Sequence, residues 1–173
     1  MALINTTTTG VLGSTFFGDG SGDLTIQQNG VTVNKITSQP AFSAYASAGT
    51  SLSNATFTKI NYATEDFDTN NNFASSRFTP TVAGYYQISA VTRLGSITAS
   101  IVAFNLYKNG AGGTAGGGSG VAAGYVYPII STLVYLNGTT DYVEIYCYQN
   151  SGGSTTTDSG TDYKFTGVLA RAA

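Results

Sequence analysis

Residues 78–91 read FTPTVAGYYQISAV, and this stretch decides the fold class. After Gly84, apolar side chains at Tyr86, Ile88 and Ala90 alternate with polar ones. Successive side chains of a strand point to opposite faces, so this spacing predicts a strand with one buried face. No helical stripe with a period of 3.6 residues interrupts or follows it.

The same alternation recurs in runs at 102–107, 141–149 and 163–169, and a further run with the composition of a strand lies at 129–136. In the run 141–149, Val143, Ile145 and Cys147 share one face, and the other face carries tyrosines. Asn137-Gly138 predicts a hairpin joining that run to 129–136, because both residue types accept a positive φ. Several short strands at this spacing predict an all-β sandwich.

The composition excludes several kinds of chemistry. The 173 residues include no histidine and one cysteine, which excludes a Ser-His-Asp triad, a histidine-ligated zinc site and an intrachain disulfide. Seven Lys and Arg residues against nine Asp and Glu give a net charge of −2, with no basic patch for nucleic acid. No apolar run is long enough to cross a membrane. We therefore predict a protein that is not an enzyme and binds no cofactor, nucleic acid or membrane.

The carboxylates Glu65, Asp66 and Asp68 form the one cluster from which a glycosidase-type pair could be drawn. Three asparagines follow them, as is typical of a solvated turn. The same stretch copies half of an EF-hand loop, but Asn71 stands in place of the required glycine and Arg77 in place of the bidentate glutamate. The residues therefore predict neither catalysis nor an EF-hand metal site.

Two segments rich in glycine, serine and threonine, 110–120 and 151–161, are predicted to be loops at the ends of the sandwich. Their composition leaves two interpretations open, a recognition surface or a solvated linker. Cys147 has apolar neighbours on its strand and is predicted to be a small buried side chain.

Residues 1–38 differ from the rest and are predicted to form a separate arm, with the main domain at 39–173. Asn29-Gly30 between alternating runs predicts a β-hairpin, which is marginal alone and therefore needs a partner surface. The apolar side chains expected to anchor it are Val11, Leu12, Phe16, Phe17, Leu24, Ile26, Val31 and Val33.

The opening stretch also resembles the signature of C1q/TNF-like domains, an aromatic residue followed by five residues, glycine, any residue, tyrosine, any residue and a second aromatic. Phe78, Gly84 and Tyr86 match it, and Ile88 replaces the second aromatic. The segments LYKNG at 106–110, VYLNG at 134–138 and FTGVL at 165–169 resemble later strands of the same family. The resemblance covers 40–173 and implies a ten-stranded jelly roll that assembles as a homotrimer. The resemblance also leaves open a calcium site with oxygen ligands that does not follow the EF-hand pattern.

The trimer interface is predicted on the face that carries Tyr142, Tyr146 and Tyr148, because tyrosine suits a buried surface whose hydroxyl groups are still paired. The reverse arrangement stays open at this point. In it, these tyrosines pack on the second sheet and the opposite face of the strand meets the neighbouring copies.

Residues 1–38 resemble the N-termini of bacteriophage virion proteins that carry a C1q-like head. This resemblance implies a trimeric capsid decoration (cement) protein on the outer capsid surface, made in the host bacterial cytoplasm. Its arm would bind the major capsid protein. The alternative is a tail-fibre or head-fibre receptor-binding protein that recognises a host-surface glycan or protein through 110–120 and 151–161.

Overall fold

The computed structural model describes the backbone of residues 15–18, 24–28, 31–36, 39–99, 101–116 and 121–173. The chain divides into two compact units, Met1–Gln39 and Pro40–Ala173. Every regular element in the described part is a β-strand, and all the strand pairs are antiparallel. Among the described residues, no helix is long and apolar enough to cross a membrane.

The first unit contains one three-stranded sheet in the order β1-β2-β3. Its strands are β1 (Thr15–Gly18), β2 (Leu24–Gln28) and β3 (Val31–Ile36). Gln28 lies opposite Val31, which confirms the hairpin predicted from Asn29-Gly30. β1 extends this hairpin into a meander that the sequence pattern did not predict. Of the expected anchors, six lie in these strands, whereas Val11 and Leu12 lie outside the described residues.

The second unit contains a five-stranded sheet in the order β15-β10-β18-β4-β7. Its strands are β4 (Ala41–Ala46), β7 (Thr64–Asp68), β10 (Gly84–Val91), β15 (Ile129–Leu136) and β18 (Gly160–Ala172). Facing it is a six-stranded sheet in which β13-β12-β16-β9-β8 are neighbours and β6 also pairs with β16. Its strands are β6 (Thr58–Lys59), β8 (Phe73–Ala74), β9 (Arg77–Phe78), β12 (Val102–Lys108), β13 (Ala111–Ala115) and β16 (Val143–Gln149).

Two short strand pairs complete this unit. One joins β11 (Leu94–Ala99) to β14 (Val121–Val126), and the other joins β5 (Ser51–Leu52) to β17 (Thr155–Thr156). From β10 onward, the long strands β10, β12, β15, β16 and β18 belong alternately to the five-stranded and the six-stranded sheet. This alternation gives the jelly-roll topology, in which strands that are neighbours in a sheet are distant in sequence.

An aromatic cluster fills the space between the two sheets. Phe42 stacks on Phe78 with ring centroids 4.4 Å apart and meets Phe165 edge-on at 4.9 Å. Tyr86 packs against Phe78 at 5.3 Å, and its hydroxyl donates a hydrogen bond of 2.7 Å to the Val82 carbonyl. Offset and edge-on pairs are the favoured aromatic arrangements, and a buried tyrosine requires such a partner. Ile88 is also fully buried here.

Strand β16 directs Val143, Ile145 and Cys147 into this core, where all three are fully buried. Burial raises the pKa of the Cys147 thiol to about 12, so the side chain is an inert apolar group. The tyrosines of β16 therefore lie on the outer face. Of the two arrangements that the sequence left open, the one in which these tyrosines pack on the second sheet is wrong.

The hairpin predicted from Asn137-Gly138 is wrong, because the two strands beside it belong to different sheets. β15 pairs with β10 and β16 pairs with β12, so residues 137–142 cross from one sheet to the other. Asn137 organises the crossing, since its Oδ1 accepts hydrogen bonds of 2.9–3.0 Å from the backbone N–H groups of Thr139, Thr140 and Asp141. An Asn-Gly pair indicates a change of chain direction, but it does not determine which strand pairs with which.

Three segments predicted as loops contain strands. Ala111–Ala115 of the segment 110–120 forms β13, Thr155–Thr156 of 151–161 forms β17, and the carboxylate stretch forms β7. Their composition is unfavourable for strands, but each pairs through its backbone with a neighbouring strand at an edge. Backbone hydrogen bonding does not require a particular side chain, so composition alone misassigned these segments.

Candidate functional site

The carboxylates considered for catalysis are engaged in structural contacts. Asp66 accepts hydrogen bonds from Lys164 Nζ at 2.5 Å and from Ser43 Oγ at 2.7 Å, and these bonds lower the pKa of its carboxyl group. Asp68 Oδ2 accepts a bond of 2.6 Å from the backbone N–H of Phe73. Within the described ranges, no group of three or more histidine, cysteine, aspartate or glutamate side chains could hold a metal ion.

The outer face of the six-stranded sheet carries a tyrosine surface, formed by Tyr107, Tyr142, Tyr146 and Tyr148. Tyr107 and Tyr146 stack with ring centroids 4.0 Å apart, and the Arg77 guanidinium lies 3.9 Å from the centroid of Tyr142. Tyr148 contacts Phe57 at 5.2 Å. The three tyrosines predicted at the trimer interface are therefore brought together on one half-buried face, each with a partner from its own chain.

Glu144 lies among these tyrosines and is 2 % exposed. Its Oε1 accepts hydrogen bonds from Lys59 Nζ at 3.0 Å and from Arg77 Nε at 2.9 Å. Burial alone would raise the pKa of this carboxyl group, but the two charged donors outweigh it and hold the pKa below its ordinary value. The tyrosine surface is thus held by a buried carboxylate with two partly exposed charged partners, and its role as an interface between copies stays a prediction.

A second surface was missed by the sequence analysis. Exposed large apolar side chains gather on the outer face of the five-stranded sheet, here called the apolar face, and they are Phe67, Tyr85, Ile129, Leu133, Tyr135 and Val168. Gln87 and Ser131 lie between them and are joined by a hydrogen bond of 3.0 Å, and Ser89 bonds to Ser131 at 3.1 Å. Charged groups are present as well, because Lys164, which pairs with Asp66, lines a hollow on this face together with Ile129 and Ser89.

The sequence signal for the apolar face lies in β15, which reads IISTLVYL. Its inward positions, Ile130 and Leu136, are buried, yet Ile129, Leu133 and Tyr135 on the opposite side are apolar as well. A strand with two apolar faces is typical of one that is buried on both sides. In the single chain one of these sides is uncovered, with Ile129, Leu133 and Tyr135 exposed.

Comparisons with known proteins show which solved structures share this fold. No protein-family model and no curated protein match the chain by sequence. Solved structures do: the globular domain of zebrafish complement 1qA protein has a TM-score of 0.57 at 13 % identity and covers 78 % of this chain and 99 % of its own. The fold is a C1q/TNF-like jelly roll. Murine APRIL gives a TM-score of 0.59 at 9 % identity, covering 76 % and 98 % of the two chains.

Eiger TNF from S. frugiperda gives a TM-score of 0.56 at 8 % identity, covering 77 % of this chain and 92 % of its own. At these identities the likeness concerns the fold. In this C1q/TNF-like jelly roll, Phe78, Tyr86 and Ile88 lie in the core between the sheets. Gly84 lies where a Cβ atom would be 2.4 Å from the Arg171 carbonyl oxygen, so a side chain there would collide with β18.

Proposed function

We propose that this protein is a trimeric capsid decoration protein of a bacteriophage virion. In this proposal its C1q/TNF-like jelly roll projects from the outer capsid surface, and residues 1–38 bind the major capsid protein and stabilise the shell. The protein has no catalytic role. The virion assignment is supported by the resemblance of the N-terminal residues to those of bacteriophage virion proteins. The three similar structures do not contribute to it, because none of them is a bacteriophage protein.

The uncovered apolar face is the main observation that supports assembly of this chain into a trimer. Contiguous apolar patches on monomeric proteins are small, and larger ones mark interaction sites. The six side chains of this face come from four strands of one sheet, and the rings of Tyr85 and Tyr135 contact each other across two of these strands, with centroids 5.5 Å apart. Burying this face between three copies would remove its side chains from water, which stabilises the trimer by roughly 25 cal/mol per Å² of apolar surface buried.

Attachment through residues 1–38 is supported by the size of the first unit. Its three strands contain four to six residues each, which is too little for an independent hydrophobic core. A segment of this kind gains stability by packing against another protein. A trimer would present three such segments, and linked contacts bind far more tightly than one contact alone.

The attachment is tested with capsid shells that lack the protein. The full chain is expected to bind them, and a chain consisting of residues 40–173 is expected to remain trimeric and to lose binding. Ile26→Asp in the full chain, which places a charge in β2, should weaken binding without changing the trimer. Binding by residues 40–173 at the affinity of the full chain would overturn the proposal.

The alternative function is a receptor-binding head on a tail fibre or head fibre. The observation that favours it is the exposure of Tyr125 and Tyr127 at one end of the sandwich, at 61 % and 54 %. Electron microscopy of virions labelled with antibody to the jelly roll separates the two roles. Label distributed over the shell supports decoration, and label confined to the tail supports the alternative.

A further inference from the structure

An exposed cluster of aromatic and charged side chains lies where β10 leads into β11 and β14 leads into β15. Arg93 is at its centre, with its guanidinium carbon 4.7 Å from the ring centroid of Tyr125, 5.9 Å from that of Tyr127 and 5.8 Å from that of Tyr163. Tyr125 and Tyr127 are the two most exposed aromatic side chains of the described residues. Neither the fold nor the proposed capsid role requires them.

The cluster has a rigid support. Arg93 Nε donates a hydrogen bond to Asp158 Oδ2, and the backbone N–H of Asp158 returns one of 2.8 Å to the Arg93 carbonyl. The next residues on both sides, Leu94 and Thr157, form a β-bridge and are buried. Arg93 also lies 3.4 Å from the Tyr127 hydroxyl. The polar groups are therefore held in place before any ligand arrives, which lowers the entropy cost of binding.

The charges of the cluster indicate what it could bind. The positive charge of Arg93 is balanced by Asp158, and Asp162 adds a second negative charge next to Tyr163. An anionic ligand would have to compete with Asp158 for the guanidinium and would be repelled by Asp162. A cationic ligand would be repelled by Arg93, whose guanidinium already lies over the three tyrosine rings on which a cation would otherwise pack. A neutral ligand with many hydroxyl groups avoids both costs.

We infer that this cluster is a binding site for a neutral saccharide. The C–H face of a pyranose ring packs on an aromatic ring, whose π face is negative, and the Tyr125 side chain is 61 % exposed. The sugar hydroxyls can donate to the Asp158 carboxylate and accept from the Arg93 guanidinium, and such charge-assisted bonds are the strong ones. The site goes beyond the proposed capsid role and does not depend on where the protein lies on the virion.

The test uses the purified full chain and saturation-transfer NMR. The probes are the methyl glycosides of glucose, galactose and N-acetylglucosamine, each at millimolar concentration, with N-acetylneuraminic acid as the anionic comparison. We expect transfer to at least one neutral glycoside and none to the acid. Tyr125→Ala should weaken binding about fivefold, because it removes the stacking ring. Arg93→Gln should weaken binding as well, while Tyr125→Phe should retain it.

The matched control is Phe57→Ala, which removes an exposed aromatic ring beside the tyrosine surface and should leave binding unchanged. Transfer to none of the three glycosides, or stronger binding of the acid, would overturn the inference. A change in oligomeric mass caused by Tyr125→Ala would also overturn it, because the cluster would then be a protein contact. None of these results bears on capsid binding, so the two proposals fail independently.

Discussion

At the scale of single residues, Gly84 shows how a motif position is fixed by packing. Besides the Arg171 carbonyl oxygen, a Cβ atom at this position would lie 2.7 Å from Leu169 Cδ1 and 3.0 Å from Ala172 Cα. Two of these three atoms belong to the backbone of β18, so the neighbour cannot rotate away. The glycine is required by the close approach of β10 and β18.

We predict that Gly84→Ala destabilises the protein by about 1–3 kcal/mol, the usual cost of overpacking. Urea unfolding of both proteins measures the difference. Gly95→Ala is the matched control, since a Cβ atom there meets nothing within 4 Å, and it should be nearly neutral. Equal effects of the two substitutions would show that loss of glycine flexibility, rather than the contact with β18, decides the outcome.

Glu144 gives a pH-dependent prediction. Its pKa in the folded protein is held below the ordinary glutamate value of 4.5, so the network with Lys59 and Arg77 stabilises the fold fully above that pH. The contribution is lost as the pH falls through the folded-state pKa, because the unfolded chain then binds the proton more readily. The stability of the wild type should therefore decline as the solution is acidified below pH 4.5.

Glu144→Gln is expected to cost about 1–3 kcal/mol at neutral pH, because it replaces two charge-assisted hydrogen bonds by weaker ones. The difference from the wild type should shrink on acidification, as seen in urea unfolding at several pH values. Glu65→Gln, at an exposed position of β7, is the control and should have little effect at neutral pH. A constant difference across the pH range would rule out the ion pairs as its cause.

At the scale of elements, the turn between β12 and β13 is held by its own backbone and by a neighbouring segment. Asn109 and Gly110 have φ values of 54° and 77°, and Lys108 lies opposite Ala111, as in a two-residue turn of type I′. The Asn109 side chain also contacts the segment 137–142, which crosses from one sheet to the other. Its Nδ2 donates to Asp141 at 2.7 Å, and its Oδ1 accepts from the Tyr142 N–H at 2.9 Å.

We predict that Asn109→Gly keeps the turn geometry and costs about 1 kcal/mol through these two lost side-chain hydrogen bonds. Asn71→Gly is the matched control, because Asn71 has the same φ of 54° and an exposed side chain. It should be neutral or slightly stabilising. Thermal unfolding compares the two variants, and equal shifts would assign the effect to the backbone alone.

At the scale of the whole molecule, assembly through the apolar face is testable by a single charge. Light scattering of the wild type should give three times 17.8 kDa. Leu133→Glu places a carboxylate at a position that is 56 % exposed in the single chain, and it should reduce the mass to that of a monomer. Burying an unpaired charge between copies is costly, whereas the folded monomer tolerates it.

Ile101→Glu is the control for this substitution, because Ile101 is 50 % exposed and lies outside the five-stranded sheet. It should remain trimeric. Tyr146→Ala tests the interface predicted from the sequence on the tyrosine surface. If it dissociates the trimer while Leu133→Glu does not, the copies meet at the tyrosine surface and the apolar face has another partner.

The amino-acid sequence was sufficient for the fold class and for most of the long strands of the jelly roll. Alternation with a period of two depends on neighbouring residues alone, so strands were assigned correctly in runs such as 102–107 and 141–149, whereas only the structure decided which face of 141–149 is buried in the core. The resemblance of Phe78–Ile88 to the C1q/TNF-like signature predicted the jelly-roll topology. The absence of histidine excluded the commonest catalytic arrangements without any structure.

The tertiary structure alone decided strand pairing and surface composition. Asn137-Gly138 is a turn in either topology, and only the positions of β10 and β12 show that the flanking strands separate. The apolar face and the cluster around Arg93 unite residues from strands and loops that are far apart in sequence. Such surfaces depend on long-range contacts, which a local pattern does not contain.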